Sequence, residues 1–384
     1  LMPFYQRRGD LPAMRHIAFR KPDGGIYHEE LIGNRGFKGP SSLLYRLERP
    51  TQLLAAEVVA DLTPRPAGEA VLRPRHLRLG ALPRRGDTAR GRVGLFHNPE
   101  VLVSAVVPEA PAPEFFRNGQ ADELWYVIDG RGTLESALGD LDFGPGDYLV
   151  VPRGLVTRFR FDVSPRFLLV EGTSPIEIPR RYRNEAGQFL EGAPYSERDF
   201  RTPENLVAHA ERGSFTVLTK RNHHLTAHAV AAHPFDVVGW DGCYYPYAFN
   251  IRDFEPIVGR IHQPPPVHQT FHADGFVVCS FVPRLFDFHP EAIPAPYNHS
   301  NAQSEEILFY ATAEFMSRKG IEFASLTYHP DGMPNGPHPG TAESSIGAKA
   351  TDEYAVMVDT FRPLTVLEGA LDVDDPDYPK SWLA

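Results

Sequence analysis

The 384-residue chain has little sulfur to work with: two cysteines, Cys243 and Cys279. Two thiols cannot build a disulfide framework or a zinc knuckle. No apolar run approaches the roughly 18 residues that a membrane-spanning helix requires, and no signal-peptide pattern is visible. Positive charge is also short, because 39 Lys and Arg stand against 49 Asp and Glu, a net charge of −10. A nucleic-acid binder needs clustered positive charge to displace counterions from phosphate, so no nucleic-acid partner is expected. Helical periodicity is scarce, and Glu204–Arg212 is the best candidate for a helix. What remains is an ordinary globular composition, 42% hydrophobic and 23% charged. It leads to the expectation of a soluble, cytoplasmic protein with no membrane association.

Glycine and proline, by contrast, are plentiful at 32 and 37 residues. Proline breaks helices and is barred from central strands, so regular elements must be short and often interrupted. Between the prolines lie short alternating or β-branched runs: Leu124–Ile128, Tyr148–Val151, Phe167–Glu171, Phe276–Phe281, Ile307–Tyr310 and Tyr354–Val358. Turn signals such as Asp129-Gly130, Pro145-Gly146 and Asp331-Gly332 bound many of them. The pattern predicts an all-β chain of two jelly-roll-like sandwiches or barrels with few short helices. Residues 174–203 are polar and aperiodic. They divide the chain into an N-terminal β-domain (1–173), a linker or arm (174–203) and a C-terminal β-domain (204–384).

Both β-domains carry the turn skeleton of a cupin. In such a jelly roll, histidines and a glutamate on one strand point to the same face, and a further histidine comes from another strand through a Pro-x-Gly-x-x-His motif. In the first half Glu123 is followed by Gly130, and Gly146 by Pro152-Arg153-Gly154. The ligand positions are empty there: Arg117, Gly119 and Thr157 stand where histidines would. That half reads as scaffold. In the second half His299 and Glu305 are six apart, and Pro330-x-Gly332 places residue 335 at the further ligand position. One histidine, one carboxylate and that third position would form the facial site of a non-haem Fe(II) oxygenase, with places left for substrate and oxygen.

These residues resemble the homogentisate 1,2-dioxygenase family, nearly end to end. Near the start stand Arg15-His16, Tyr27-His28-Glu29-Glu30 and Ser41-Ser42-Leu43-Leu44-Tyr45. Mid-chain, Trp240-Asp241-Gly242-Cys243-Tyr244-Tyr245-Pro246-Tyr247 matches the family's Trp-x-Gly-x-Tyr-x-Pro-Tyr string. Pro283-Arg284, Pro296-Tyr297-x-His299, Ser304-Glu305 and Tyr378-x-Lys380-x-Trp382 follow in order. The resemblance implies cleavage of a hydroquinone acid, homogentisate, by Fe(II) and molecular oxygen to give maleylacetoacetate. It makes His299 and Glu305 two iron ligands, His262 the general base, and Tyr297 and His329 pocket residues around the substrate. A histidine suits the base because its pKa lies near neutrality, whereas a phenol near 10 needs help to ionise. Trimers or hexamers are implied as well.

The sequence departs from the family at two places. The third iron ligand is a histidine before Gly-Pro, and here Asn335 precedes Gly336-Pro337. Either the Asn335 amide oxygen donates, or His338 swings in as a rival ligand, or asparagine has replaced a histidine. The family's tyrosine nine residues after the glutamate is Glu314 here. Three functions follow in order: the homogentisate dioxygenase, a relative retuned to another ring-hydroxylated acid, and a non-catalytic cupin that binds an aromatic acid.

Overall fold

The structure, a computed structural model, describes residues 4–36, 38–262 and 265–383. It is all-β, with two α-helical turns, Thr341–Ser345 and Glu368–Leu371. No described helix is long and apolar enough to cross a membrane. All six apolar runs predicted from sequence lie in or overlap strands. The turns between them need glycine where expected: Gly130 and Gly146 have φ of +85° and +88°, and a Cβ on Gly130 would sit 2.6 Å from the Pro165 backbone. The helix expected at Glu204–Arg212 does not form. Pro203 precedes it, Glu204 pairs with Asp140 as an isolated bridge, and His209 N–H donates to the Phe235 carbonyl. Ladder partners from the neighbouring sheet override the local periodicity.

In the first sandwich, Val101–Val106, Arg166–Gly172, Asp122–Asp129 and Asp147–Val151 lie side by side. Facing them are Phe115–Asn118, Thr157–Arg160, Gly132–Ser136 and Gly139–Phe143. The chain alternates between the two sheets, which is a jelly roll. The second sandwich repeats one of these sheets as Phe276–Phe281, Ala355–Thr360, Glu305–Tyr310 and Ser325–His329. Its opposing sheet is reduced to two short pairs: Arg284–Leu285 with Ala350–Thr351, and His299–Ser300 with Pro334–Asn335. In chain order these are one strand pair interrupted on both strands, by loops 286–298 and 336–349.

Segments cross between the halves. Arg75–Arg78 joins the second sandwich, whereas Arg212–Arg221, His224–Ala232, Tyr247–Asn250 and Thr365–Val366 join sheets of the first. The 174–203 segment is irregular but anchored, because Tyr182 and Tyr195 donate their hydroxyls to the carbonyls of Gln269 and Thr270.

The eight-stranded sheet of the first sandwich and the six-stranded sheet of the second, which contain these strands, pack back to back. Tyr126 meets Phe309 at 5.7 Å between ring centroids, Tyr148 meets Phe271 at 5.5 Å, and Phe96 meets Tyr328 at 4.9 Å. One apolar core runs through this seam and into the first sandwich. The interior of the second sandwich has a small core of its own around Cys279, Leu308, Tyr310 and Met357. Strands covered on both faces must be apolar on both, which is why these runs lack strict alternation.

At one end of the first sandwich, where a cupin would hold metal, lies a buried ion cluster. Arg92 Nη1 sits 2.6 Å from Glu123 and 3.0 Å from Glu171, and Lys220 Nζ sits 2.6 Å from Glu171. Asn118 Nδ2 donates to both carboxylates and Trp125 Nε1 to Glu123. Removing one member leaves a buried charge without its partner, which costs about 3–5 kcal/mol, whereas removing a matched pair costs far less. Lys220→Met should therefore lower the urea midpoint sharply, and Lys220→Met with Glu171→Gln should recover most of the loss. Equal destabilisation by the single and double variants would contradict this account.

Candidate metal and substrate site

The interior of the second sandwich opens into a cavity of about 360 Å³. Its floor is the inner face of the four-stranded sheet, and its rim comes from the two loops that interrupt the opposing strands. Alternation along Glu305–Tyr310 decides what enters it. Leu308 and Tyr310 belong to the interior core and Ile307 and Phe309 to the seam, so Glu306 faces the cavity and Glu305 the seam. The expectation that Glu305 is a ligand is thereby corrected. Its carboxylate is buried and accepts the Leu364 N–H at 2.6 Å. Adjacent residues on a strand point to opposite faces, so the two glutamates cannot share a role.

Glu306 is the centre of the site. His299 Nε2 lies 3.8 Å from one of its oxygens and His329 Nδ1 3.0 Å from the other. Burial opposes ionisation of Glu306, but the two imidazoles beside it outweigh burial and hold its pKa below the ordinary value. In return the Glu306 carboxylate raises His299. His329 is buried with both nitrogens engaged, Nε2 standing 3.2 Å from Tyr378 Oη. It does not line the cavity, so its place is behind Glu306 and not against a substrate.

Asn335 is the direct cross-strand partner of His299, which puts both side chains on one face. It is 8% exposed, and neither its amide oxygen nor its amide nitrogen has a hydrogen-bond partner. Buried amides are rarely left unpaired. His338, the rival, is committed elsewhere. Its Nε2 lies 2.8 Å from Ser381 Oγ and its ring stacks on Trp382 at 4.1 Å. Burial, helped by Arg318, pushes its pKa down to about 4. The side chain packs against the C-terminal turn, which corrects its reading as a ligand.

His262 and Tyr297 stand at the cavity mouth, both exposed, with His262 Nε2 3.1 Å from Tyr297 Oη. Gln263 and Pro264, which follow in the family's string, lie outside the described residues. The sequence reading missed three cavity groups. Asp359 lies directly across from Glu306 on the neighbouring strand. His268 is buried against Phe281, its Nδ1 is unpartnered, and burial with nearby Arg284 pushes its pKa down to about 3. Arg318 is buried over the Trp382 ring, and its Nη1 donates to the Gly336 carbonyl at 2.5 Å. An acid closing an otherwise apolar run, as Asp359 does after Val356-Met357-Val358, is the signal that could have found the first of them.

Two jelly rolls back to back, one stabilised by an internal ion cluster and the other opening on a histidine–carboxylate pair, are the architecture of a bicupin. A family model described as homogentisate 1,2-dioxygenase N-terminal matches residues 112–251. The chain is 41% identical to a putative dioxygenase from Saccharolobus solfataricus, over 99% of both chains. It is 26% identical to homogentisate 1,2-dioxygenases from Rhodopseudomonas palustris, over 77% of this chain and 67% of that one, and from Arabidopsis thaliana, over 70% and 61%. The chain belongs to the homogentisate 1,2-dioxygenase family, and as a member it is an oxidoreductase of the dioxygenase type.

The facing of the two glutamates can be tested directly. Glu305→Ala should lower stability, since the buried Leu364 N–H loses an ionised acceptor, at a cost of about 1.5–3 kcal/mol. It should leave divalent-cation binding in the cavity unchanged. Glu306→Ala should abolish that binding. Urea denaturation and calorimetric titration of the two variants check both outcomes, and the reverse pattern would restore Glu305 as the ligand.

Proposed function

We propose that the protein is an Fe(II)-dependent ring-cleaving dioxygenase acting on a hydroquinone acid, with homogentisate as the leading substrate and maleylacetoacetate as its product. The observation that carries this reading is the approach of His299 to Glu306 in the cavity, with the buried, unpartnered amide of Asn335 directly across the ladder from His299. An imidazole, a carboxylate and an amide oxygen suit a borderline divalent cation. Bound there, Fe(II) would supply the electron chemistry by which dioxygen reacts with an aromatic ring. His262, at the mouth, would take a phenol proton at Nε2, the atom now beside Tyr297 Oη. Tyr297 would orient that imidazole and close over the ring. Arg318 lines the cavity, and among the described cavity residues it forms no ion pair with a carboxylate. It suits the carboxylate of the substrate.

A substrate other than homogentisate is the second reading, and one feature favours it. Glu314, at the position of the family's tyrosine, is exposed and outside the cavity, while the apolar Phe315 lines it. Assembly into trimers or hexamers belongs to the same proposal. The edge strand Leu53–Asp61, with Leu53, Leu54, Val58 and Val59 exposed, supports an interface.

Anaerobic reconstitution should load about one Fe(II) per chain, and oxygen uptake should follow addition of homogentisate. Uptake only with other hydroquinone acids would select the second reading, and none with any would overturn both. His262→Gln should keep iron while lowering turnover by about 10²–10⁴-fold, the usual scale for a lost general base. Loss of iron in that variant would make His262 a ligand. Asn335→His should tighten iron binding, because imidazole is the stronger donor; an unchanged affinity would remove residue 335 from the site.

A further inference from the structure

A four-stranded sheet of Gln6–Gly9, Val237–Gly242, Ser41–Arg46 and His28–Gly33 lies against the first sandwich, where Trp240 Nε1 donates to the Leu138 carbonyl at 2.8 Å. Between them is a cavity of about 120 Å³ that shares no lining residue with the His299–Glu306 cavity. Alternation places Arg117 in it. Asn118 faces the sandwich interior, onto Glu123 and Glu171, so Arg117 faces out toward the covering sheet. Three guanidinium groups line the cavity, those of Arg46, Arg49 and Arg117, against two carboxylates, Glu30 and Asp236. Arg46 takes both carboxylates, Glu30 through Nε and Asp236 through Nη1 at 2.5 Å. Arg117 is left with a hydroxyl: its Nε donates to Thr219 Oγ1 at 2.9 Å, and its Nη groups have no partner among the described residues. Burial opposes its charge, Glu30 supports it, and Arg46 adds to the opposition. A guanidinium keeps its proton in a protein, so a counter-ion is what relieves it. His233, 8% exposed, brings a neutral donor to the same cavity. Its Nδ1 accepts the Phe235 N–H at 3.0 Å, which puts the ring proton on Nε2, and burial beside His209 pushes its pKa down to about 4.

We infer that this cavity binds a small organic monoacid, its carboxylate on the Nη fork of Arg117 and its apolar end among Ile32, Leu138, Val156 and Val230. Three guanidinium groups against two carboxylates leave one positive charge, which one carboxylate neutralises. The planar fork of arginine meets a carboxylate through two parallel hydrogen bonds. The apolar walls select against a bare inorganic anion, which would leave them facing water. At roughly 10–15 Å³ for each water, the cavity has room for about ten of them, enough for a short aliphatic acid and too little for a peptide or a nucleotide. The site lies in the half of the chain whose jelly roll is closed by the Arg92 cluster, so occupancy here is independent of the reaction proposed above. An acid held between the two sheets stabilises their junction by mass action.

The test is calorimetric titration of the full-length protein with sodium butyrate, together with thermal unfolding in its absence and presence, with sodium chloride holding the ionic strength constant. Butyrate should bind and raise Tm. Arg117→Met should weaken binding by about tenfold or more, the scale of a lost charged hydrogen-bonded pair, and shrink the rise in Tm. Arg117→Lys, which keeps the charge and loses the fork, should weaken it less; it also carries the comparison if the methionine variant folds poorly, since affinity equal to the wild type in Arg117→Lys and in any folded Arg117→Met removes the fork from the site. Absence of binding by the wild type, or undiminished binding in Arg117→Met, overturns the inference. Phosphate or acetate binding as tightly as butyrate would mean a bare anion site and overturns the assignment to an organic acid. Arg318→Met tells the two cavities apart. It should leave the butyrate affinity unchanged; loss of binding in that variant with none in Arg117→Met would put the acid in the other cavity and overturn the inference while leaving the reading of the His299–Glu306 site intact.

Discussion

The seam between the two large sheets is the constraint on which the rest of the molecule depends. Once Tyr126, Tyr148 and Phe96 of the first sandwich are packed against Phe309, Phe271 and Tyr328 of the second, the facing of every residue on the central strands is set. A slip by one residue would move Glu306 into the seam and Phe309 into the cavity, exchanging a buried ring for a buried charge. The aromatic contacts thereby hold the orientation of the site from behind. The seam is also what makes the fold continuous: strands from each half complete the sheets of the other, and the 174–203 arm ties its tyrosines to backbone on the far side.

Within that frame the chain solves one electrostatic problem twice. Burying two carboxylates on neighbouring strands is costly, and the first sandwich meets the cost with side chains of its own, leaving an interior that is filled and closed. The second leaves the same pair with imidazoles on one member and a cavity over the other. One copy is closed by its own cations, and the other opens on a cavity.

Much of the fold could be read from the sequence. The prolines and glycines excluded long helices, and the apolar runs marked the central strands of both sandwiches, because strands buried on two faces need apolar residues at every position. The site was legible only in part. His299, His262 and Tyr297 line the cavity, and Asn335 is the cross-strand partner of His299. Glu305 and Glu306 could not be told apart, since the same two-sided burial that reveals the strand erases the alternation that would say which acid faces in. The turn at 301–304 also breaks any count carried forward from His299. His338 looked available because spacing carries no information about Trp382, which lies 44 positions away and stacks on it. The false helix at Glu204–Arg212 failed for a related reason: its partners are on other strands, and local periodicity does not register them.

The strand pair that presents His299 and Asn335 has a consequence of its own. It is a ladder of two residues, His299–Ser300 against Pro334–Asn335, cut off from its continuation by a loop on either strand. A ladder so short cannot hold its own register in water. The rim of the cavity hangs from the same four residues, and a ligand held between His299 and Asn335 would act as the missing rung. Filling the cavity and ordering its entrance would then be a single event.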